Sequence, residues 1–421
     1  MRRIGIIGGG ASGIVAAIAA ARTNVQAEIT ILEHKDSIGK KILATGNGRC
    51  NLTNRTLDVS CYRSEDSDFI SNLLQKFDTE DAIRFFSSLG LVMKWRGTYG
   101  YPRSDQAASV VELLELELKR LGIKIRTGIH VDAIEKKKAG YLVSAGKERL
   151  AFDRVILSCG GRAGGKLGSD GSGYSLAKSL GHTMVPVVPA LVQLKIKEHP
   201  FAKASGVRTD ASVSVCIDGE RKAKDIGELQ ITAYGVSGIP IFQISRYAAY
   251  GCYEKKKVSV EVDFLPELGE KETEHLFLQR RKDCADRKAG DFLTGIFPKK
   301  LIPCLLSLAK IKIHTPVEKL SGANLHTLAK VCKHTDLFVS ETNGFENAQV
   351  CAGGIRTTEV CPDTMESRNL KGLYLTGELL DVDGICGGYN LQFAWATGYL
   401  AGCAAAGDRK DIKRDIKDDS N

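Results

Sequence analysis

A glycine-punctuated passage opens the chain, and it narrows the possible folds more than any other feature. Arg3-Ile4-Gly5-Ile6-Ile7 reads as a short apolar strand, Gly8-Gly9-Gly10-Ala11-Ser12-Gly13 as a turn, and Ile14 to Arg22 as an alanine-rich helix. A GxGxxG pattern alone is weak, but here it follows a strand and opens a helix, where its mechanism needs it. Gly8 permits the tight turn, Gly10 lets backbone approach a pyrophosphate, and Gly13 lets helix and strand pack closely. The helix start at Ala11 and Ser12 offers free N–H groups and the positive dipole end to phosphate. A second strand, Glu28 to Leu32, completes a βαβ unit and runs into Glu33, 20 residues after Gly13. A carboxylate there accepts from the ribose 2′- and 3′-hydroxyls and disfavours a 2′-phosphate, so FAD or NAD is expected rather than NADP.

The 421 residues suggest two or three domains. With 43% hydrophobic and 26% charged residues the composition is globular, which excludes disordered and collagen-like chains. The net charge of +9 fits an anionic ligand and is weak support for nucleic acid. Ile4 to Ala21 carries no charge, but its five glycines, spaced as a turn, argue against a signal peptide or membrane span. The run from Gly384 to Gly407, with six glycines, Asn390 and Gln392, is set aside in the same way. The twelve cysteines are never closer than ten positions, so no zinc spacing appears, and no metal is expected. Scattered thiols without a signal peptide point to a reducing cytoplasm.

Further along, Gly39 to Asn54 (GKKILATGNGRCNLTN) reads as a long basic loop, and Ser67–Leu89 and Ser104–Leu121 as helices. Ile123–Leu150 reads as a meander, Arg154–Ser158 as a strand, Val187–Ile244 as mostly strands, with one more at Val258–Phe264. Leu268–Val331 reads as a helical insert, and Leu373–Leu375 as a strand before a helix over Tyr389–Ala406. The fold class expected is α/β: a discontinuous Rossmann-type FAD-binding domain with an inserted β-barrel-like domain and a small helical domain. Its divisions are 1–188 and 336–407 for the nucleotide domain, 189–265 for the β domain, 266–335 for the helical insert and 408–421 for a frayed tail. Gly160–Lys166 also fits the start of a phosphate-binding P-loop, but Leu167 stands where Ser or Thr must hold Mg²⁺.

The closing segment bears on the choice between FAD and NAD. Thr376-Gly377-Glu378, then Asp381 to Gly384 and Gly387 to Gln392, form a second glycine-rich passage from strand to helix. Such a passage can embrace the ribityl chain and flavin ring, with the final helix N-terminus toward the pyrimidine edge. Gly377, Glu378, Gly384, Gly388, Asn390 and Leu391 are its candidate cofactor residues.

These pieces together resemble the bacterial flavoproteins grouped with aminoacetone oxidase and the flavin-dependent bile acid reductase. GIIGGGASG, GKKILATGNGRCNLTN, YPRSDQA (Tyr101–Ala107), GSDGSGY (Gly168–Tyr174), PALVQL (Pro189–Leu194), GVSGIPIFQISR (Gly235–Arg246) and the Thr364–Gly398 block carry the resemblance over nearly the whole chain. It implies FAD as cofactor and places the Gly-rich loop, with Lys41, Arg49, Cys50 and Asn51, against the flavin. Arg49 would offset pyrophosphate charge. Cys50 has no cysteine nearby in sequence, so packing outweighs disulfide chemistry. Val131, read as part of the strand after Gly128, would give backbone contacts to adenine. The chain departs from the family pattern at Ala233, where many members have His, and at Ile239, which displaces the proline to Pro240.

The activity expected is NAD(P)H-driven reduction of an activated C=C bond, the 3-oxo enone of a bile acid or steroid. NAD(P)H would bind transiently, since no second GxGxxG appears. Ene-reduction needs an acid, and Tyr389 leads Tyr101, Tyr99 and Tyr234 as candidates. The alternatives are an oxygen-dependent amine oxidase and a flavin-bearing RNA-modifying protein. A small-molecule substrate is expected, with no nucleic acid, membrane or obligate protein partner. The basic helical insert (Arg280, Arg281, Lys282, Arg287, Lys288, Lys299, Lys300) reads as a solvated face, with an acyl-CoA contact as the minority reading.

Overall fold

A short, near-continuous apolar run suits a strand that is covered on both faces and paired on both edges, and the opening segment is one. In the computed structural model, which describes residues 1–407, β1 (Arg3–Ile7) pairs in parallel with β2 (Glu28–Leu32) on one side and Arg154–Leu157 on the other. Leu373–Leu375 and Lys124–Arg126 complete the edges, giving a five-stranded parallel sheet. Ile4, Ile6, Ile31, Ile156 and Leu375 are fully buried in it, as strands covered on both faces require. The tail from Asp408, expected to fray, lies outside the described residues.

The chain divides into two units, one formed by residues 1–187 with 350 onward, the other by 188–349. In the first unit α1 (Ala11–Thr23) packs along the closing helix, Tyr389–Ala406. A Cβ on Gly398 would lie 2.3 Å from the Ser12 carbonyl oxygen, and one on Gly402 2.2 Å from that of Ala16. The four-residue glycine spacing therefore sets how closely the two backbones approach. A three-stranded antiparallel sheet (Ala133–Lys137, Gly140–Ala145, Glu148–Phe152) is the expected meander.

In the second unit six strands close a barrel, in the order Leu194–Ile196, Gly235–Ser237, Glu220–Ile231, Arg208–Ile217, Val258–Asp263 and Thr335–Thr342. Thr335–Thr342 closes it by pairing with both Val258–Asp263 and Leu194–Ile196. The return to the nucleotide unit therefore comes at Val350, not at 336. The expected helical insert forms helices Glu270–Asp283, Ala289–Phe292, Ile302–Leu308 and Gly322–Lys333, which share one apolar core with the barrel.

Three local expectations change. Ser67–Leu89 is two helices, Ser67–Lys76 and Thr79–Ser88, because Asp78 and Asp81 form a reciprocal capping box that starts the second. Ile239–Ile244, read among strands, lies in a helix, Ile239–Tyr253, begun by Pro240 in its first turn. Gly39–Asn54 contains α2 (Lys40–Ala44), a short turn at Thr45–Gly48 and the two-residue strand Thr53–Asn54.

Candidate active site

The turn between β1 and α1 sets the first wall of the site. Gly8 has φ of +105°, and a Cβ there would lie 2.4 Å from the Ser158 carbonyl oxygen. Gly13 is tighter: its Cβ would meet the Gly8 carbonyl oxygen at 2.0 Å. Gly10, the N-cap of α1, has nothing within 4 Å of its Cβ position. The turn is thus compact underneath and open at Gly10, beside the unpaired N–H groups of the first helical turn. That open cradle fits a pyrophosphate.

Glu33 lies just past β2, buried, where its carboxylate accepts from the Gly9 N–H (2.7 Å) and the Lys35 N–H (2.8 Å). A carboxylate has about four acceptor sites, so capacity remains for ribose hydroxyls. His34, which the sequence reading left out, stands 3.2 Å from Glu33 and 3.8 Å from Asp170. It brings the Gly168–Tyr174 block to the end of β2. Val131 is buried but lies in the loop between Lys124–Arg126 and Ala133–Lys137, not in a strand.

The basic loop forms the second wall. Its backbone is left-handed at Gly46, Asn47, Gly48 and Cys50, a strained conformation for Asn and Cys that the surroundings must hold. Asn51 holds it. Its amide, oriented to satisfy both ends, donates to the Thr53 and Gly100 carbonyls at 3.1 Å and accepts from the Gly388 N–H at 3.2 Å. Asn54 donates to the Gly387 carbonyl (3.0 Å), Thr53 to Gln392 (2.7 Å), and Trp395 to the Leu52 carbonyl (3.0 Å). The second half of GRCNLTN, Asn51 to Asn54, is therefore pinned to the first two turns of the closing helix and the glycines before it. Cys50 is buried, and burial pushes its thiol up to about 12, which leaves it protonated and inert. Arg49 is exposed and makes no ion pair among the described residues.

The closing segment supplies the third wall. Thr376 joins the ends of three elements: its hydroxyl bonds Ser158 (2.7 Å) and Ser12 (3.1 Å). The sequence places Thr376 and Ser158 at strand ends but gives neither a role in the site; each directly follows a strand of the parallel sheet. Gly377 donates to Thr397 (3.0 Å). Asn390 clasps Gly384 in both directions at 2.8 Å. Leu391, half-buried in the first turn of the closing helix, packs against the core of the unit. Glu378 and Lys41, both assigned to cofactor, face each other: Lys41 Nζ is 2.7 Å from one Glu378 oxygen, and the Cys351 N–H bonds the other at 2.9 Å. Cys351 is pushed up to about 12, by burial first and then by Glu378.

Tyr389 does not stand free as an acid. Its ring is buried and its hydroxyl donates to the Thr56 carbonyl at 2.9 Å. Burial, and then Cys61, push its pKa well up. Tyr99 and Tyr101 are more open, on the strand Tyr99–Pro102. Tyr234, in the other unit, accepts from Asn343 at 3.2 Å. In the helical insert, Arg280 is spent on the Phe292 and Thr294 carbonyls and Arg281 on Leu320, which removes two guanidinium groups from any acyl-CoA contact. After Gly160–Lys166 comes only a short turn, Gly165–Leu167, with the next helix at Ser172, so no P-loop helix faces that segment.

A glycine cradle at a helix start, an acid after the second strand and a second strand–helix passage closing on the same sheet define a Rossmann-type flavoprotein. Residues 2–404 match the HI0933-like protein Rossmann domain, and the chain belongs to that family. It is 61% identical over 406 residues, 96% of this chain and 99% of the relative, to the 3-dehydro-bile acid delta(4,6)-reductase of Clostridium scindens. It is 28% identical over 411 residues, 96% and 98% of the two chains, to the ribosomal RNA dihydrouridine synthase of Haemophilus influenzae. Among solved structures, a quinol-fumarate reductase with menaquinol molecules superposes with a TM-score of 0.51 at 16% identity, covering 98% of this chain and 74% of that one, a likeness of fold. The chain is an FAD-dependent oxidoreductase.

Proposed function

We propose that this flavoenzyme reduces a C=C bond conjugated to a 3-oxo group in a steroid or bile-acid-type substrate, with NAD(P)H as electron donor. One observation carries the reading: the 61% identity to a bile acid reductase along nearly the full length of both chains. The overall change balances as enone, NAD(P)H and one proton giving the saturated ketone and NAD(P)⁺. FAD, when bound, supplies the two-electron relay between donor and enone. The chain's own part is to hold and orient. Gly8, Gly10, Ala11, Ser12 and Gly13 would cradle the pyrophosphate and Glu33 the ribose; the loop of Lys41, Arg49, Cys50 and Asn51 would bound the flavin on one side. Gly377, Glu378, Gly384, Gly388, Asn390 and Leu391 would bound it on the other, with the positive end of the closing helix near it.

The test is incubation of the FAD-loaded protein with NADH or NADPH and a 3-oxo-Δ4 or 3-oxo-Δ4,6 bile acid, followed by mass spectrometry. The reading predicts a product heavier by two hydrogens and loss of nicotinamide absorbance in proportion. A second reading, action on RNA, takes its support from the relative named for ribosomal RNA dihydrouridine. It would prevail if enones went unreduced while RNA gained dihydrouridine. Amine-dependent oxygen uptake with neither product would instead favour the oxidase.

A further inference from the structure

The proposed reaction needs an external hydride donor, and the sequence shows no second GxGxxG between a strand and a helix to bind one. The grip on that donor must then come from side chains. A small antiparallel sheet beside the site offers them. Met93–Arg96 pairs with Tyr99–Pro102, which pairs with Thr53–Asn54. In this register Lys94 is opposite Tyr101, Arg96 opposite Tyr99, and Asn54 also opposite Tyr99. Directly opposed residues share a face, so Asn54, Lys94, Arg96, Tyr99 and Tyr101 lie together. Trp95 falls on the other face, where the Arg55 guanidinium covers it at 4.1 Å.

The shared face adjoins the cofactor walls. Asn54 bonds the Gly387 carbonyl, and a Cβ on Gly387 would lie 3.1 Å from the Tyr99 ring. A Cβ on Gly46 would lie 3.8 Å from the Tyr101 ring. The two tyrosines thus stand at the glycine turns of the basic loop and of the closing helix. Tyr99 keeps 41% of its surface exposed, and the Arg96 side chain 45%. The Arg96 guanidinium sits 5.3 Å over the Tyr101 ring, which orients it without consuming its donors. Asp105 takes both Lys94 and Arg96 (2.9 Å to the latter), so one acid faces two bases there, and the same Cβ position at Gly46 that lies 3.8 Å from the Tyr101 ring lies 3.9 Å from the Cβ of the exposed Arg49. The face therefore carries surplus positive charge between aromatic rings.

We propose that this face binds the diphosphate and an aromatic base of a nicotinamide dinucleotide, with Arg49 and Arg96 on the phosphates and Tyr99 or Tyr101 under a ring. The assignment rests on the reductase reading, because it supplies that reading's donor. Guanidinium groups suit phosphate through paired donors, and base–tyrosine stacking needs no sequence motif.

The test is calorimetric titration of the FAD-loaded protein with NADP⁺ and NAD⁺, which bind without reducing it. Arg96→Gln and Tyr99→Ala should each weaken binding by about tenfold, the scale of one charge-assisted contact, and raise KM for NAD(P)H more than they lower kcat. Arg55→Gln, on the opposite face of the same sheet, should leave the dissociation constant unchanged and so controls for damage to the sheet. Added salt should weaken binding to the wild type more than to Arg96→Gln. The proposal is overturned if Arg96→Gln and Tyr99→Ala bind NADP⁺ as the wild type does. It is equally overturned if they lose affinity for coenzyme A or an RNA oligonucleotide instead. The reductase reading is separated by reducing the protein with dithionite and adding enone. Enone turnover there, with dinucleotide binding insensitive to Arg96, would sink this site and keep the reaction.

Discussion

Gly10 and Gly13 are three positions apart and make opposite demands on a side chain. At Gly13 a methyl group would run into the Gly8 carbonyl at 2.0 Å, whereas at Gly10 it would enter open space. Gly13→Ala should therefore destabilise the apoprotein by about 2 kcal/mol or more, as overpacking against backbone does, and abolish flavin binding with it. Gly10→Ala should shift apoprotein stability by only about 1 kcal/mol yet weaken FAD binding sharply, because the added methyl fills the cradle. Urea unfolding of the apoproteins and FAD titration separate the two; equal stability losses would contradict the assigned roles. The buried thiols make a second prediction at this scale. Cys50 and Cys351 are both held by burial near 12, against 9.0 for an ordinary thiol. Above 9.0 the unfolded chain loses these protons while the folded chain keeps them, so stability present below that pH is lost as pH rises toward 12. Urea midpoints should fall from about pH 8 to about pH 10, less steeply in Cys50→Ala. A flat profile in the wild type would count against the burial of these thiols.

Among elements, the closing helix has two duties. Its glycines let α1 approach, and its N-terminus anchors the GRCNLTN loop. Gly398→Val should cost about 3 kcal/mol, since the Ser12 carbonyl belongs to the first turn of α1 and cannot retreat without moving that helix. Thermal unfolding should show it, and Leu391→Ala, at a half-buried position of the same helix, should cost less. Asn51→Ala should cost about 1–3 kcal/mol by taking the acceptor from the Gly388 N–H and a donor from the Thr53 and Gly100 carbonyls, with faster loss of bound flavin on dilution. If Asn51→Ala retains flavin like the wild type, the loop is not the wall described. Elements with a local signature were readable in the sequence: β1, α1 and β2 from their periodicity and glycines, and Tyr389–Ala406 to the residue. The break at Asp78 and the helix start at Pro240 were also written locally, as a capping box and as an N-terminal proline after Gly238, but the surrounding apolar runs outweighed them in the reading. The basic loop could not be resolved that way. Its shape depends on Asn51 and Asn54 meeting Gly388 and Gly387, more than 330 positions away, and local patterning carries no trace of such bonds.

For the whole molecule, the parallel sheet collects strands from Arg3 to Leu375, and the nucleotide unit is assembled from both ends of the chain. The discontinuity was visible because both ends carry glycine-rich strand-to-helix passages. The barrel's closure was not, since Thr335–Thr342 pairs with Leu194–Ile196 across about 140 residues, a ladder that only tertiary contact specifies. Catalytic detail was the least legible: Tyr389 matched the motif, yet its hydroxyl is committed to Thr56. The proposed reaction carries electrons from nicotinamide to a conjugated alkene. The most direct measurement is anaerobic. The yellow protein is mixed with NADPH or NADH, the visible flavin band is followed, and a 3-oxo-Δ4 bile acid is added before any air. Bleaching by the nicotinamide and recolouring by the enone without oxygen are expected of the proposed reaction. A flavin that stays bleached with the enone and recovers only in air, or one that no nicotinamide bleaches, would contradict it.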